Sequence, residues 1–147
     1  MIGDDTWVYR NRLPHLINDG KTYFVTFVTL HRQLLPEPAR DIVLRSCTFQ
    51  DHYFLHYGIV MPDHVHLVLT PDEGISLPSL MQAIKGASAH FVNRELGRKG
   101  RLWQRESFDH IVRSDDALAE KGEYVLNNPV RKGLVTDPRD WRWRYPK

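Results

Sequence analysis

The sequence predicts an α+β protein of the ferredoxin-like or RRM-like kind: an antiparallel sheet with helices on one face and an extra C-terminal helix carrying a tyrosine. Three observations lead there. The predicted elements run strand, helix, strand, strand, helix, strand, helix. The second and third strands, "YFLHYGIV" and "HVHLVLT", are separated only by "MPD", which suits an antiparallel hairpin. The third strand alternates cleanly, sending His64 and His66 to one face and Val65, Leu67 and Leu69 to the other, beneath the helices.

Each element has its own justification. Residues up to about 20 read as an irregular arm ending in "NDG". "KTYFVTFVTL" (21–30) is rich in aromatic and β-branched residues and reads as a strand. "EPARDIVLRSCTFQ" (37–50) opens with a proline suited to a first helical turn and continues through Ile42, Val43, Leu44 and Phe49. The hairpin strands occupy 53–60 and 64–70. In "LPSLMQAIKGASAHFVNRELG" (77–97), Leu80, Ile84, Ala87 and Phe91 recur at helical spacing, and Gly97 is a natural stop. "RESFDHIVR" (105–113) reads as the fourth strand. Ser114 caps a last helix, with Asp115 and Asp116 at its positive end. That helix ends at Asn127 or Asn128, where Pro129 sets a boundary. The sheet face away from the helices is expected to be free for a ligand, typically nucleic acid.

With 147 residues, 41% hydrophobic and 26% charged, the chain can bury one ordinary core. No apolar run approaches the roughly 18 residues of a membrane span, and "MIGDDTWVYRNRLPH" lacks a signal-peptide core. The single cysteine, Cys47, excludes an internal disulfide framework and fits a reducing cytoplasm. A net charge of +2 says little about partners, so local clusters carry that question. Arg94, Arg98, Lys99, Arg101 and Arg105 stand in one segment against Glu95 alone. The tail "RDWRWRYPK" interleaves Arg139, Arg142, Arg144 and Lys147 with Trp141, Trp143 and Tyr145.

His64 and His66 should have α-carbons about 7 Å apart, close enough to converge on one metal ion. The pattern equally fits two histidines on a solvated sheet face. His52, His56, His90 and His110 have no comparable spacing and read as surface or hydrogen-bonded structural residues. In the last helix, Leu118, Gly122 and Val125 form the inward stripe. Tyr124 lies about 100° from Val125, and Asn128, four residues on, shares its face. The pair reads either as a nucleophile beside a metal ligand or as a half-exposed tyrosine with a capping amide. Phosphoryl transfer would join the two halves. A phenol of pKa about 10 is a weak nucleophile at neutral pH, and a divalent ion stabilises the charge that develops on phosphate. Histidine-rich ligation also suits Mn²⁺ or Zn²⁺, so ligand type does not settle the metal.

Four segments, "RLPHL…GKTYFVTF", "YGIVMPDHVHLVLTP", "GRLWQRESFDHIVR" and "YVLNNPVRKGLV", resemble in content and order the HUH single-tyrosine transposases of bacterial insertion sequences. The similarity is greatest to their REP-associated branch. The resemblance implies one transposase domain over 1–147, with an arm at 1–20 and a basic, aromatic tail at 129–147. It makes His64 and His66 metal ligands, Asn128 the third ligand and Tyr124 the nucleophile, with Mg²⁺ or Mn²⁺ as cofactor and no small-molecule cofactor. The implied activity is single-stranded DNA cleavage and strand transfer through a 5′-phosphotyrosine, on hairpin DNA, in a bacterial cytoplasm.

Arg10 and Arg12 would join hairpin recognition. Arg98, Lys99, Arg101, Arg105, Arg131, Lys132, Arg142 and Arg144 would contact phosphates. Trp103 would stack on a base; Trp141 and Trp143 either do so or seal the C-terminus. A monomer is favoured because the fourth strand and last helix are close in sequence, and a dimer sharing tyrosines stays open. Asp63 stands where the commoner family residue is Asn, either supporting the histidines or shaping the turn. Gly122 costs about 1 kcal/mol relative to Ala in a helix; it lets that helix approach the sheet or move, or it is a neutral substitution or a sign of decay. Two alternatives remain: an RRM-like nucleic-acid-binding module without catalysis, and a metal-dependent hydrolase that uses water.

Overall fold

Apolar spacing and turn chemistry place the elements close to their expected positions. The structure is a computed structural model that describes residues 20–49 and 51–147, with the backbone of Thr6–Trp7. Arg10 and Arg12 lie outside the described residues. The elements are β1 (Thr6–Trp7), β2 (Thr22–Val28), α1 (Glu37–Thr48), β3 (Tyr53–Val60), β4 (His64–Pro71), α2 (Leu77–Leu96), β5 (Phe108–Val112), α3 (Asp115–Leu126), α4 (Asn128–Arg131) and β6 (Arg144–Tyr145). They form one antiparallel sheet in the order β1-β5-β2-β4-β3-β6. Its inner four strands have the expected ferredoxin-like order. Among the described residues, no helix is long and apolar enough to cross a membrane.

The β3–β4 hairpin closes with Val60 opposite Val65 and with Met61 N donating to His64 O at 2.8 Å. Buried Thr29 anchors its turn: the Thr29 amide and hydroxyl both donate to the Asp63 carbonyl. This fixes where β4 begins and therefore which way His64 points. Helix starts follow the local chemistry too. Ser76 and Ser114 accept from the amides of Ser79 and Ala117, and Gly97 ends α2 at φ 62°.

Strand β4 is covered on both faces. Val65, Leu67 and Leu69 are fully buried in the main core with Phe27, Leu55 and Met81. Helices α1 and α2 lie on this side, as shown by the Trp103 ring, 4.7 Å from Phe27, donating its Nε1–H to Ser88 of α2. Helix α3 lies on the opposite, histidine side. That face is therefore not free, because the extra helix packs on it.

Several expectations are corrected. The inward stripe of α2 is Leu77, Leu80, Met81, Ile84, Ser88 and Val92, whereas Ala87 and Phe91 are exposed. A buried serine hid this register, since its hydroxyl donates to the Lys85 carbonyl and accepts from Trp103. The fourth strand is shorter than 105–113. Residues 102–104 run beside the end of β2, through a Thr29–Trp103 bridge, before the chain leaves the sheet. Lys85 Nζ then donates to the carbonyls of Gln104 and Arg105 and to the Ser107 hydroxyl. The arm and the tail each add a two-residue strand, β1 and β6, at opposite edges.

Trp141 and Trp143, each 6% exposed, seal the C-terminus. Their indole N–H groups donate to Val60 O and Asp41 Oδ1, and the Arg40 guanidinium stacks on both rings. Trp103 is 3% exposed, so its ring face cannot receive a base, and that assignment is withdrawn.

Ser88→Ala should lower stability by about 1–3 kcal/mol, because it leaves the buried Trp103 N–H without an acceptor. The urea midpoint should fall while the slope of the transition stays unchanged.

Candidate active site

Strand alternation brings the imidazoles of His64 and His66 together, with ring centroids 4.8 Å apart. Each ring is oriented through Nδ1. That of His64 bonds Asp63 Oδ1 at 2.8 Å, and that of His66 bonds Thr26 Oγ1 at 2.8 Å. Neither Nε2 has a hydrogen-bond partner among the described residues. A carboxylate or hydroxyl on the far nitrogen is how metal-binding histidines are usually held. Asp63 fills both roles open to it: its carboxylate steadies His64, while its backbone shapes the turn.

Both histidines are nearly buried, at 9% and 8% exposed. Burial pushes the His66 pKa down to about 3, helped by the nearby positive groups of His64, Arg131 and Lys132. The ring is therefore neutral at physiological pH, with a lone pair available. Burial also works against the Asp63 carboxylate, but hydrogen bonds from His64 and Arg32 outweigh it and hold its pKa below the usual range.

Helix α3 brings the second half of the site onto this face. The Tyr124 ring lies 5.9 Å from His66 and 5.8 Å from Phe24, which itself meets His66 at 5.3 Å. All of these groups belong to one chain. Gly122 makes the approach possible: a Cβ there would stand 2.4 Å from Tyr57 Cζ. Gly122 and Val125 are buried and Tyr124 is 45% exposed, as the helical stripe predicts. The Arg131 guanidinium lies 4.0 Å from the Tyr124 ring centroid and donates to the Tyr124 carbonyl at 2.8 Å. It ties the tyrosine to the short helix that begins with Asn128.

Asn128 is 2% exposed, and its side-chain oxygen Oδ1 has no hydrogen-bond partner. A buried acceptor left unmatched is costly and rare. Among the described residues, no group of three or more His, Cys, Asp and Glu gathers to hold a metal.

The cations expected at DNA divide into two groups. Lys99, Arg101 and Arg105 are exposed and in no ion pair among the described residues, and Arg131 and Lys132 lie at the tyrosine and His66. Arg98 instead bonds Asn93 Oδ1 and Gln33 Oε1, which holds its own loop. Arg142 pairs with Asp41 and stacks on Trp143, and Arg144 donates to the Pro146 carbonyl. These two belong to the packing of the tail. Sequence reasoning missed Thr26, Phe24 and Lys121. Lys121, whose Nζ sits 5.1 Å over the Phe24 ring, could have been found by its helical spacing from Tyr124.

A paired-histidine strand faced by a tyrosine helix on a ferredoxin-like sheet is the architecture expected of single-tyrosine transposases. The sequence model of the family described as Transposase IS200 like matches residues 23–128, and the chain belongs to that family. Within it, the chain is 30% identical over 127 residues to the REP-associated tyrosine transposase of Escherichia coli K12, covering 83% of this chain and 74% of that protein. A Haemophilus influenzae protein assigned to the same group is 29% identical over 92 residues, covering 56% of this chain. The match spans about half of that relative's length, 52%. The solved structure of a REP-associated tyrosine transposase bound to a REP hairpin shares the fold, with a TM-score of 0.67 at 22% identity over 85% of this chain and 76% of that one.

Gly122→Ala should destabilise the protein by about 1–3 kcal/mol through overpacking against Tyr57. Helix propensity alone predicts the opposite sign. Adding Tyr57→Leu should recover most of the loss in thermal unfolding.

Proposed function

We propose that the chain is a metal-dependent single-stranded DNA nuclease and strand transferase that works through a covalent 5′-phosphotyrosine. The observation that carries this reading is the placement of Tyr124 5.9 Å from His66 within one chain. The unpaired buried Oδ1 of Asn128 supports it. The donor set fits a divalent cation: two unpartnered imidazole nitrogens, one on a ring kept neutral by burial, and an amide oxygen lacking a donor. Bound by His64, His66 and Asn128, Mg²⁺ or Mn²⁺ would stabilise negative charge developing on the scissile phosphate.

The chain's own groups account for the rest. The Tyr124 hydroxyl forms the new bond to phosphorus as the bond to the 3′ oxygen breaks. The phenolic proton is lost to solvent, and the departing 3′ oxygen takes one up. The 3′-hydroxyl of another strand reverses the sequence, which joins DNA without an external energy source. Arg131 and Lys132 add positive charge where the phosphate must lie, and Arg131 also restrains the tyrosine ring. The water-using hydrolase leaves Tyr124 without a task. Hairpin DNA as substrate is inferred from the REP-associated relatives.

Incubating the protein with single-stranded hairpin DNA and Mn²⁺ should give a protein–DNA adduct that survives denaturation. Tyr124→Phe should abolish the adduct, and an undiminished yield would remove the nucleophile assignment. Changing both His64 and His66 to Ala should stop cleavage while largely sparing DNA binding. Binding without an adduct under any metal would instead establish a non-catalytic module.

Asp63→Ala should weaken Mn²⁺ binding roughly 10- to 100-fold, read by titration calorimetry, because the acceptor that orients His64 is lost.

A further inference from the structure

The sheet face that carries His66 extends beyond the cover of α3. Phe108, the first residue of β5, pairs with Thr26, and Thr26 pairs with His66. Directly opposed residues share a face. The hydrogen bond from Thr26 to His66 and the 5.1 Å ring contact between Phe24 and His110 fix that orientation. Phe108 therefore stands on the active-site face two strands from His66, on the order of 10 Å away at ordinary strand spacing. It is 49% exposed.

The segment leading into Phe108 is the basic loop. Residues 102–104 lie beside the end of β2, with Gln104 N donating to Val28 O, and Val28 is opposite His64. The loop thus emerges at the His64 end of the sheet. Its exposed cations Arg101 and Arg105 line a cavity against α2, on the opposite face of the sheet. The active-site face has its own cations: Lys121 Nζ lies over the Phe24 ring, and Arg131 and Lys132 stand at Tyr124 and His66. An open aromatic ring on a face that carries cations suits an unpaired strand: the ring takes a base, and the cations take phosphates. Phe54, 58% exposed on the same face, sits against His56 at the far end of β3.

We propose that Phe108 is the stacking platform for an unpaired base beside the scissile phosphate, with Lys121, Arg131 and Lys132, which lie on the same face, neutralising the backbone. The proposal rests on the nuclease reading above. Stacking accepts any base, so Phe108 contributes affinity and strand placement, and the choice of sequence lies elsewhere.

The test uses a single-stranded 20-nucleotide oligo(dT) carrying one 2-aminopurine, read by anisotropy and by quenching of the fluorescent base. Phe108→Ala should weaken binding roughly 5- to 150-fold and abolish quenching. Phe108→Trp should restore both, whereas Phe108→Leu, equally apolar but without a π-face, should not. The salt dependence should be unchanged in Phe108→Ala and shallower in a Lys121→Ala, Lys132→Ala double variant. Phe49→Ala, which removes a 79% exposed ring beyond the end of α1, is the control for general loss of apolar surface. Wild-type affinity in Phe108→Ala or Phe108→Leu overturns the platform. If the wild type itself fails to bind, the platform falls, and the nuclease reading falls with it only if no Tyr124 adduct forms on hairpin DNA. If wild type and Phe108→Ala bind equally and both form the Tyr124 adduct on hairpin DNA, the platform alone falls.

Discussion

Strand β4 is packed from both sides, and the two packings have opposite chemistry. One face is aliphatic and lies under α1 and α2, where Val65, Leu67 and Leu69 are fully buried. The other presents two imidazoles and is covered by α3, which can come close only because residue 122 lacks a Cβ. A slip of one residue in β4 would exchange these faces, placing histidines in the aliphatic core and leucines under the tyrosine. The register therefore has to be defended, and the bonds from Thr29 to the Asp63 carbonyl, together with the Met61–His64 closure, do so.

That double burial also sets the electrostatics of the site. An imidazole taken out of water and surrounded by cations stays neutral, as His66 does. The neutral His66 ring and the charges of Arg131 and Lys132 therefore meet on one face. Carboxylates are held back from it: Asp63 reaches His64 but is occupied by that ring and by Arg32. Arg131 connects the parts mechanically as well, since it bonds the backbone of Tyr124 from the helix that starts at Asn128.

The remaining basic and aromatic residues divide by structural duty. Trp141 and Trp143 close the β3 edge against α1, using Arg40 and Asp41. Trp103 fills the core beside Phe27, and Arg98 fastens its loop to Gln33 and Asn93. On the active-site side Phe108 stays exposed, and Lys121, Arg131 and Lys132 carry positive charge. Similar residue types thus serve the fold on one side of the sheet and remain available to a ligand on the other.

Local pattern carried a good part of this protein. Alternation in β4 put His64 and His66 on one face, helical spacing put Val125 inward and Tyr124 off that stripe, and Ser76, Ser114 and Gly97 marked helix ends. These are properties of a residue and its near neighbours, so the chain alone determines them. Pairing across the sheet is different. Nothing near Thr26 or Phe108 in the chain shows that both share a sheet face with His66. Trp103 looks like a free aromatic until Ser88, on another helix, accepts its N–H. Which face α3 covers, and hence that the histidines are buried and His66 neutral, depends on a contact between Gly122 and Tyr57. The sequence determined which chemical groups each element presents and on which of its faces. Only the tertiary structure decided which faces meet, because burial and desolvation arise from contacts between residues far apart in the chain.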